Sequence, residues 1–133
     1  PPALNILTVN AYTATDKLII PMVPEILSLL GISQLRETIQ LVKDLYNPKI
    51  EVLGILLNRY DRRRLLTRDV EEMAEIIAKE LNTRVFSTKI RSSVAVAEAP
   101  AHGESIFRHA PRSSASVDYR KFVDELISRK GMK

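Results

Sequence analysis

The 133-residue sequence holds no cysteine and no tryptophan, only two histidines and only four glycines. Without cysteine there is no disulfide scaffold, no thiolate metal site and no thiol nucleophile, and the chain suits a reducing cytoplasm. Two histidines, His102 and His109, with no HxxxH or HExxH spacing, leave no case for a metal centre. No Gly-x-Ser-x-Gly elbow is present, so a Ser-His-Asp hydrolase is not expected either. No apolar run approaches the ~20 residues of a membrane span, and no signal peptide is visible.

What is present is the make-up of one ordinary soluble domain. Hydrophobic residues form 45% and charged residues 27% of the chain, enough to bury a real core. The net charge of +4 permits contact with nucleic acid or acidic lipid without demanding it. Pro1-Pro2-Ala3-Leu4 opens on two prolines with no initiator Met. The expectation is a cut inside a longer polypeptide, a trimmed terminus being the alternative.

The organising stretch is Glu51-Val-Leu-Gly-Ile-Leu-Leu-Asn-Arg-Tyr-Asp61. Val52 to Leu57 is apolar and does not alternate, which fits a strand covered on both faces, as in a parallel α/β sheet. Asn58 and Asp61 then fall just past its carboxyl end, where open α/β sheets bind ligands.

Around this strand the spacing predicts a helix over roughly Ala3 to Ala14 and a strand over Leu18 to Val23, ending at Pro21. Ile26 to Tyr46 reads as helical, with a break near Gly31 and a longer helix starting near Ser33. Its stripe is Leu35, Ile39, Val42 and Leu45 or Tyr46, and Asn47-Pro48 stops it. Thr67 is a candidate N-cap for a helix from Arg68 to Leu81, with Val70, Met73, Ala74, Ile77 and Leu81 inward and Asn82 closing it. Arg84 to Ile90 reads as a third strand and Val94 to Ala99 as one helical turn before Pro100. Residues 101–111 read as loop. A last helix, capped by Ser113, Ser114 or Ser116, turns Tyr119, Phe122, Val123, Leu126 and Ile127 inward and ends at Arg129, Lys130 and Gly131. Strands alternating with helices imply a parallel sheet flanked by helices in a single α/β domain over residues 1–133.

Several stretches carry a resemblance. Pro1, Pro2, Leu4, Leu7, Thr8, Asn10 and Ala11 come first, then Asp16, Ile20-Pro21, Glu25, Leu30-Gly31 and Gln34-Leu35. Gly54, Asn58 and Asp61 follow, and Glu98-Ala-Pro-Ala-His102-Gly103 is the most specific local match. In this order and spacing they resemble the carboxyl-terminal half of the ParA partition ATPases, relatives of the division-site ATPase MinD, over nearly the whole chain. The resemblance implies a partial P-loop NTPase fold of the deviant-Walker type, without its P-loop half. The sequence indeed contains no Gly-x-x-x-x-Gly-Lys-Ser/Thr. ATP and Mg2+ would therefore be bound by the intact parent, while the fragment itself would carry no catalytic residue and hydrolyse nothing.

The same resemblance suggests site residues. Asn58, whose amide both donates and accepts, would sit beside the adenine base, with Asp61 helping to form the pocket. Ile90, Arg91 and Val94 would form the other wall. Relatives often carry Ile-Pro-Arg-Asn-Val-Arg there; this chain has Ile90-Arg-Ser-Ser-Val-Ala95, a loop more like those of plasmid and mobile-element partition proteins. Arg91 replaces the proline, and two arginines linked in the family to DNA binding are absent. Arg62, Arg63, Arg64 and Arg68 are the densest basic cluster and, with Arg91, are the candidate contacts to non-specific double-stranded DNA.

Three functions follow. The first is a cytoplasmic, nucleoid-associated partition switch that dimerises on ATP, binds DNA and is stimulated by a ParB-type partner. The second is a MinD-like membrane-positioning ATPase, which needs a basic amphipathic terminal helix. Arg120, Lys121, Arg129, Lys130 and Lys133 are diluted there by Asp118, Asp124 and Glu125, so stable membrane association is not expected. The third is a non-catalytic binding module of the same fold. An unpaired apolar sheet edge would make the fragment dimerise or exchange elements.

Overall fold

The computed structural model describes residues 5–23, 29–61 and 67–130. Their elements are α1 (Ile6–Ala14), β1 (Lys17–Met22), α2 (Leu29–Leu45), β2 (Glu51–Leu57), α3 (Thr67–Glu80), α4 (Ala95–Ala101), α5 (Ile106–His109) and α6 (Ser114–Lys130). This is an α/β fold, a parallel sheet flanked by helices. Pro1, Pro2, Leu4, Glu25, Arg62, Arg63, Arg64, Gly131 and Lys133 lie outside the described residues.

β1 and β2 run parallel, from Lys17 opposite Glu51 to Met22 opposite Leu57. The register slips between Leu18 and Ile19, where Leu53 is the extra residue of a bulge in β2. Beyond the bulge, Gly54 to Leu57 are buried without a break. Ile55 and Leu57 pack with Ala74, Ile77 and Ala78 of α3. Leu56 faces the other way, into a cluster with Phe86, Ile90 and Phe122 of α6. Both faces of β2 are thus covered, which is why its sequence shows no polar alternation. The rings of Phe86 and Phe122 meet edge to face, centroids 4.9 Å apart.

The expected third strand, Arg84 to Ile90, is not a regular strand. It pairs with β2 at its start, where Ile55 N donates to Arg84 O and Phe86 N to Ile55 O, both at 2.9 Å. It rejoins at its end, where Ile90 N donates to Leu57 O at 2.9 Å. In between, the Ser87 and Thr88 amides donate to the Glu125 carboxylate of α6 at 2.9 Å each. A side chain on a neighbouring helix thus holds two consecutive amides, including Thr88 N, the next that a ladder with β2 would use. Gly54 permits the close approach of this segment: a Cβ there would lie 2.7 Å from the Phe86 ring and 3.0 Å from Arg84 O.

The helices depart from the expected pattern at their ends. The α2 backbone is helical through Gly31, so the predicted break is absent. Val42 and Thr38 are buried on α2, but Leu45 and Tyr46 in the last turn are exposed. On α6, Phe122 is buried while Val123 and Ile127 stay exposed, because the inward stripe runs through Ala115, Asp118 and Phe122. A four-residue helix, α5, occupies part of the expected loop, with Ser105 Oγ accepting from Arg108 N. α4 continues through Pro100, which forfeits only one N–H bond.

Both α3 and α4 end in the same closure. After α4, Gly103 N donates to Pro100 O and Glu104 N to Ala99 O, both at 3.0 Å. After α3, Asn82 N donates to Lys79 O at 3.1 Å and Thr83 N to Ala78 O at 2.8 Å. These are Schellman motifs, with Gly103 (φ 64) and Asn82 (φ 51) in the left-handed position they require. Asn47 joins the front of the molecule: its amide donates to Tyr12 O at 3.1 Å and Thr15 O at 2.7 Å, tying the end of α2 to the end of α1.

Candidate functional site

The tip of β2 is held from both sides. Asn58 N donates to Met22 O at 2.7 Å, and Tyr60 N to Ile90 O at 3.0 Å. Beside it opens a cavity of about 520 Å³. Its polar lining is Asn58, Arg59, Ser92 and Ser93, with Arg91; its apolar lining is Ile90, Val94, Val96, Ala97 and Tyr119. The β2 tip, the 90–94 turn, the first turn of α4 and one ring from α6 therefore converge. An apolar slot with a few polar groups is the usual form of a small-molecule site. Among the described residues the side chains of Asn58 and Arg59 have no hydrogen-bond or ionic partner.

Arg91 is differently placed. Its backbone N–H donates to Asp118 Oδ2 at 3.0 Å, and its guanidinium donates to Oδ2 and Oδ1 at 2.8 Å each. Asp118 is buried on α6. Burial pushes its carboxyl up, but the Arg91 side-chain and backbone hydrogen bonds, with the Arg91 and Lys121 charges, outweigh that and hold it below the usual range. The hydrogen bond to Asp118 in turn raises Arg91. The fork of Arg91 fastens the cavity wall to α6, while its side chain stays about half exposed.

On the opposite side of the same backbone, Tyr60 Oη donates to Glu71 Oε1 at 2.5 Å. Lys89 pairs with Glu71 and lies over the Tyr60 ring, 4.7 Å from its centroid. This tie holds α3 against the strand tip. His102 and His109 stack 4.9 Å apart, and His109 lies 3.5 Å from Glu104 and 3.7 Å from Glu98. Among the described residues no group of three or more His, Asp or Glu is arranged to hold a metal, and no helix is long and apolar enough to cross a membrane. A larger groove, about 830 Å³, runs between α2 and α3. Leu41, Ile76 and Ile77 line it beside charged side chains, among them Arg36 and Glu80 paired at 3.0 Å, and no residue of β2 reaches it.

A family profile described as an AAA domain matches residues 1–52. The chromosome partitioning protein ParA of Caulobacter vibrioides is 37% identical over 129 residues, 97% of this chain and 47% of that protein. The chromosome-partitioning ATPase Soj of Thermus thermophilus is 36% identical over 97% of this chain and 51% of its own length. This chain is homologous to the ParA/Soj partitioning ATPases. It spans about half the length of the curated relatives it matches. Among solved structures, the cobyrinic acid a,c-diamide synthase of Mycobacterium smegmatis with bound ATP analog and magnesium superposes at a TM-score of 0.73. It is 30% identical over 96% of this chain and 45% of that one.

Within this ParA/Soj homologue, four of the expected base-pocket residues, Asn58, Ile90, Arg91 and Val94, line one cavity, whereas Asp61 does not. Arg62, Arg63 and Arg64 lie outside the described residues, as does the side chain of Arg68. The Glu98–Gly103 match is the capped end of α4; the residues of that helix at the cavity are Val96 and Ala97. Sequence reasoning missed Arg59 and Asp118. Their signals were an arginine directly after Asn58 and an acid on the inward stripe of α6.

Proposed function

We propose that these residues form the base-binding and DNA-facing part of an ATP-dependent DNA-partitioning ATPase of the ParA/Soj type. The observation that carries this reading is the cavity at the carboxyl end of β2, apolar on its walls with an unpartnered amide, Asn58, at its strand-tip side. Such a lining fits a flat heterocycle and offers no carboxylate for magnesium. Phosphates and Mg2+ would be held by residues beyond this sequence, and the 133 residues alone would not hydrolyse ATP. In the whole protein ATP would drive dimerisation and DNA binding through Arg62, Arg63, Arg64 and Arg68, and a ParB-type partner would stimulate hydrolysis. The protein would work in the cytoplasm, on the nucleoid.

The test uses the protein that carries both these residues and the phosphate-binding segment. ATP should switch on binding to duplex DNA of any sequence, with affinity falling steeply as salt rises. Replacing Arg62, Arg63 and Arg64 by alanine should weaken that binding uniformly. It should also flatten the salt slope by about 0.9 for each phosphate that is no longer neutralised. A protein that neither binds nor hydrolyses ATP would leave only the fold in common with its relatives and overturn the reading.

A further inference from the structure

Three described residues take the left-handed backbone conformation: Asn82, Gly103 and Arg59. Asn82 and Gly103 close helices, as their residue types suit. Arg59 closes none. It stands at the end of β2 with φ 52, held by the hydrogen bonds on either side of it, Asn58 N to Met22 O and Tyr60 N to Ile90 O. An arginine gains nothing locally from that conformation, and strain of this kind persists where surrounding structure over-determines it. Its side chain is exposed at the cavity beside Asn58. Three other arginines are engaged: Arg91 with Asp118, Arg36 with Glu80, Arg120 over the Phe107 ring. Arg59 alone combines a forced backbone, a place in the cavity lining and a side chain with no partner among the described residues.

We propose that Arg59 is a nucleotide-contacting residue that lays its guanidinium plane on the face of a bound purine, while Asn58 meets the base edge. This rests on reading the cavity as the base site. The guanidinium is planar and weakly hydrated, so it stacks on aromatic faces where an ammonium would not. Ile90, Val94 and Val96 supply the apolar surface against which the base would lie. A stacking contact is indifferent to which purine is bound and to how many phosphates follow. The edge contact of Asn58 carries the discrimination.

The experiment is calorimetric titration of the nucleotide-binding protein with ATP, ADP, adenosine and GTP. Wild type is compared with Arg59→Gly, Arg59→Lys and Asn58→Ala. Glycine adopts φ 52 freely, so Arg59→Gly should fold at least as stably as wild type. It is expected to weaken every purine ligand by a similar factor, about five- to thirty-fold, with little dependence on salt. Arg59→Lys should recover only part of the loss. A loss that grows from adenosine to ATP and fades at high salt would mean a phosphate contact and overturn stacking. Unchanged affinities in Arg59→Gly with weakened binding in Asn58→Ala would remove Arg59 and leave the base cavity standing. If neither variant alters binding, the cavity reading fails and this proposal fails with it.

Discussion

Arg91 and Asp118 are paired, yet the two ends of the pair are not equivalent. Asp118 is buried and Arg91 is about half exposed. Removing the arginine strands a buried carboxylate, whereas removing the carboxylate frees a guanidinium that water can solvate. Arg91→Ala is therefore expected to cost about 2–3 kcal/mol and Asp118→Asn about 1 kcal/mol, measured by denaturant unfolding. The pH dependence follows from the lowered carboxyl of Asp118. Its contribution is present above the unfolded carboxylate value near 4 and is lost as pH falls below it, through the folded value. Wild type should thus lose stability on that acid limb more steeply than Asp118→Asn. Arg91, raised further above neutrality, adds no slope in that range. At this scale the sequence was only partly readable. Asn58, Ile90 and Val94 could be placed at one site, but an acid among apolar residues on α6 looked like surface charge until its partner was seen. The sequence shows Arg59 directly after Asn58, but not its left-handed backbone, which only glycine or asparagine would have advertised.

Elements were legible where their burial is complete. β2 and α3 fall within a residue or two of the expected bounds, since an unbroken apolar run and a regular stripe each describe what the element touches. The third strand failed for a local reason: partial alternation in Arg84 to Ile90 says nothing of Glu125, which holds the Ser87 and Thr88 amides in place of continued pairing with β2. Gly54 reads as a simple interruption in sequence, yet it is the contact point of β2 and this segment. Gly54→Ala should therefore destabilise by about 1–3 kcal/mol, because the Phe86 ring and the Arg84 carbonyl must both give way. A thermal melt of the variant would read this directly. A melting temperature equal to wild type would show that the segment can shift without cost.

Seen whole, the molecule buries one side of its sheet system better than the other. Around β2 both faces are filled, while Ile6 and Leu7 on α1, Ile19 on β1 and Leu45 and Tyr46 at the end of α2 remain exposed. Among the described residues β1 pairs only with β2, so its outer edge offers unpaired backbone groups. Surface of this kind recruits other chains. The 133-residue chain should self-associate as its concentration rises, and replacing Ile6 and Leu7 by serine should reduce this. Light scattering that shows a monomer at every concentration would count against it.

The double covering of β2 has a consequence for motion. Amides bonded on both edges of a strand and shut between two hydrophobic clusters exchange with solvent only when the whole domain opens. Ile55 carries such an amide, while α1 has no buried residue to delay its fraying. The backbone that supports the cavity therefore belongs to the last part of the molecule to open, and local breathing at α1 can proceed without disturbing the position of Asn58 or Arg59.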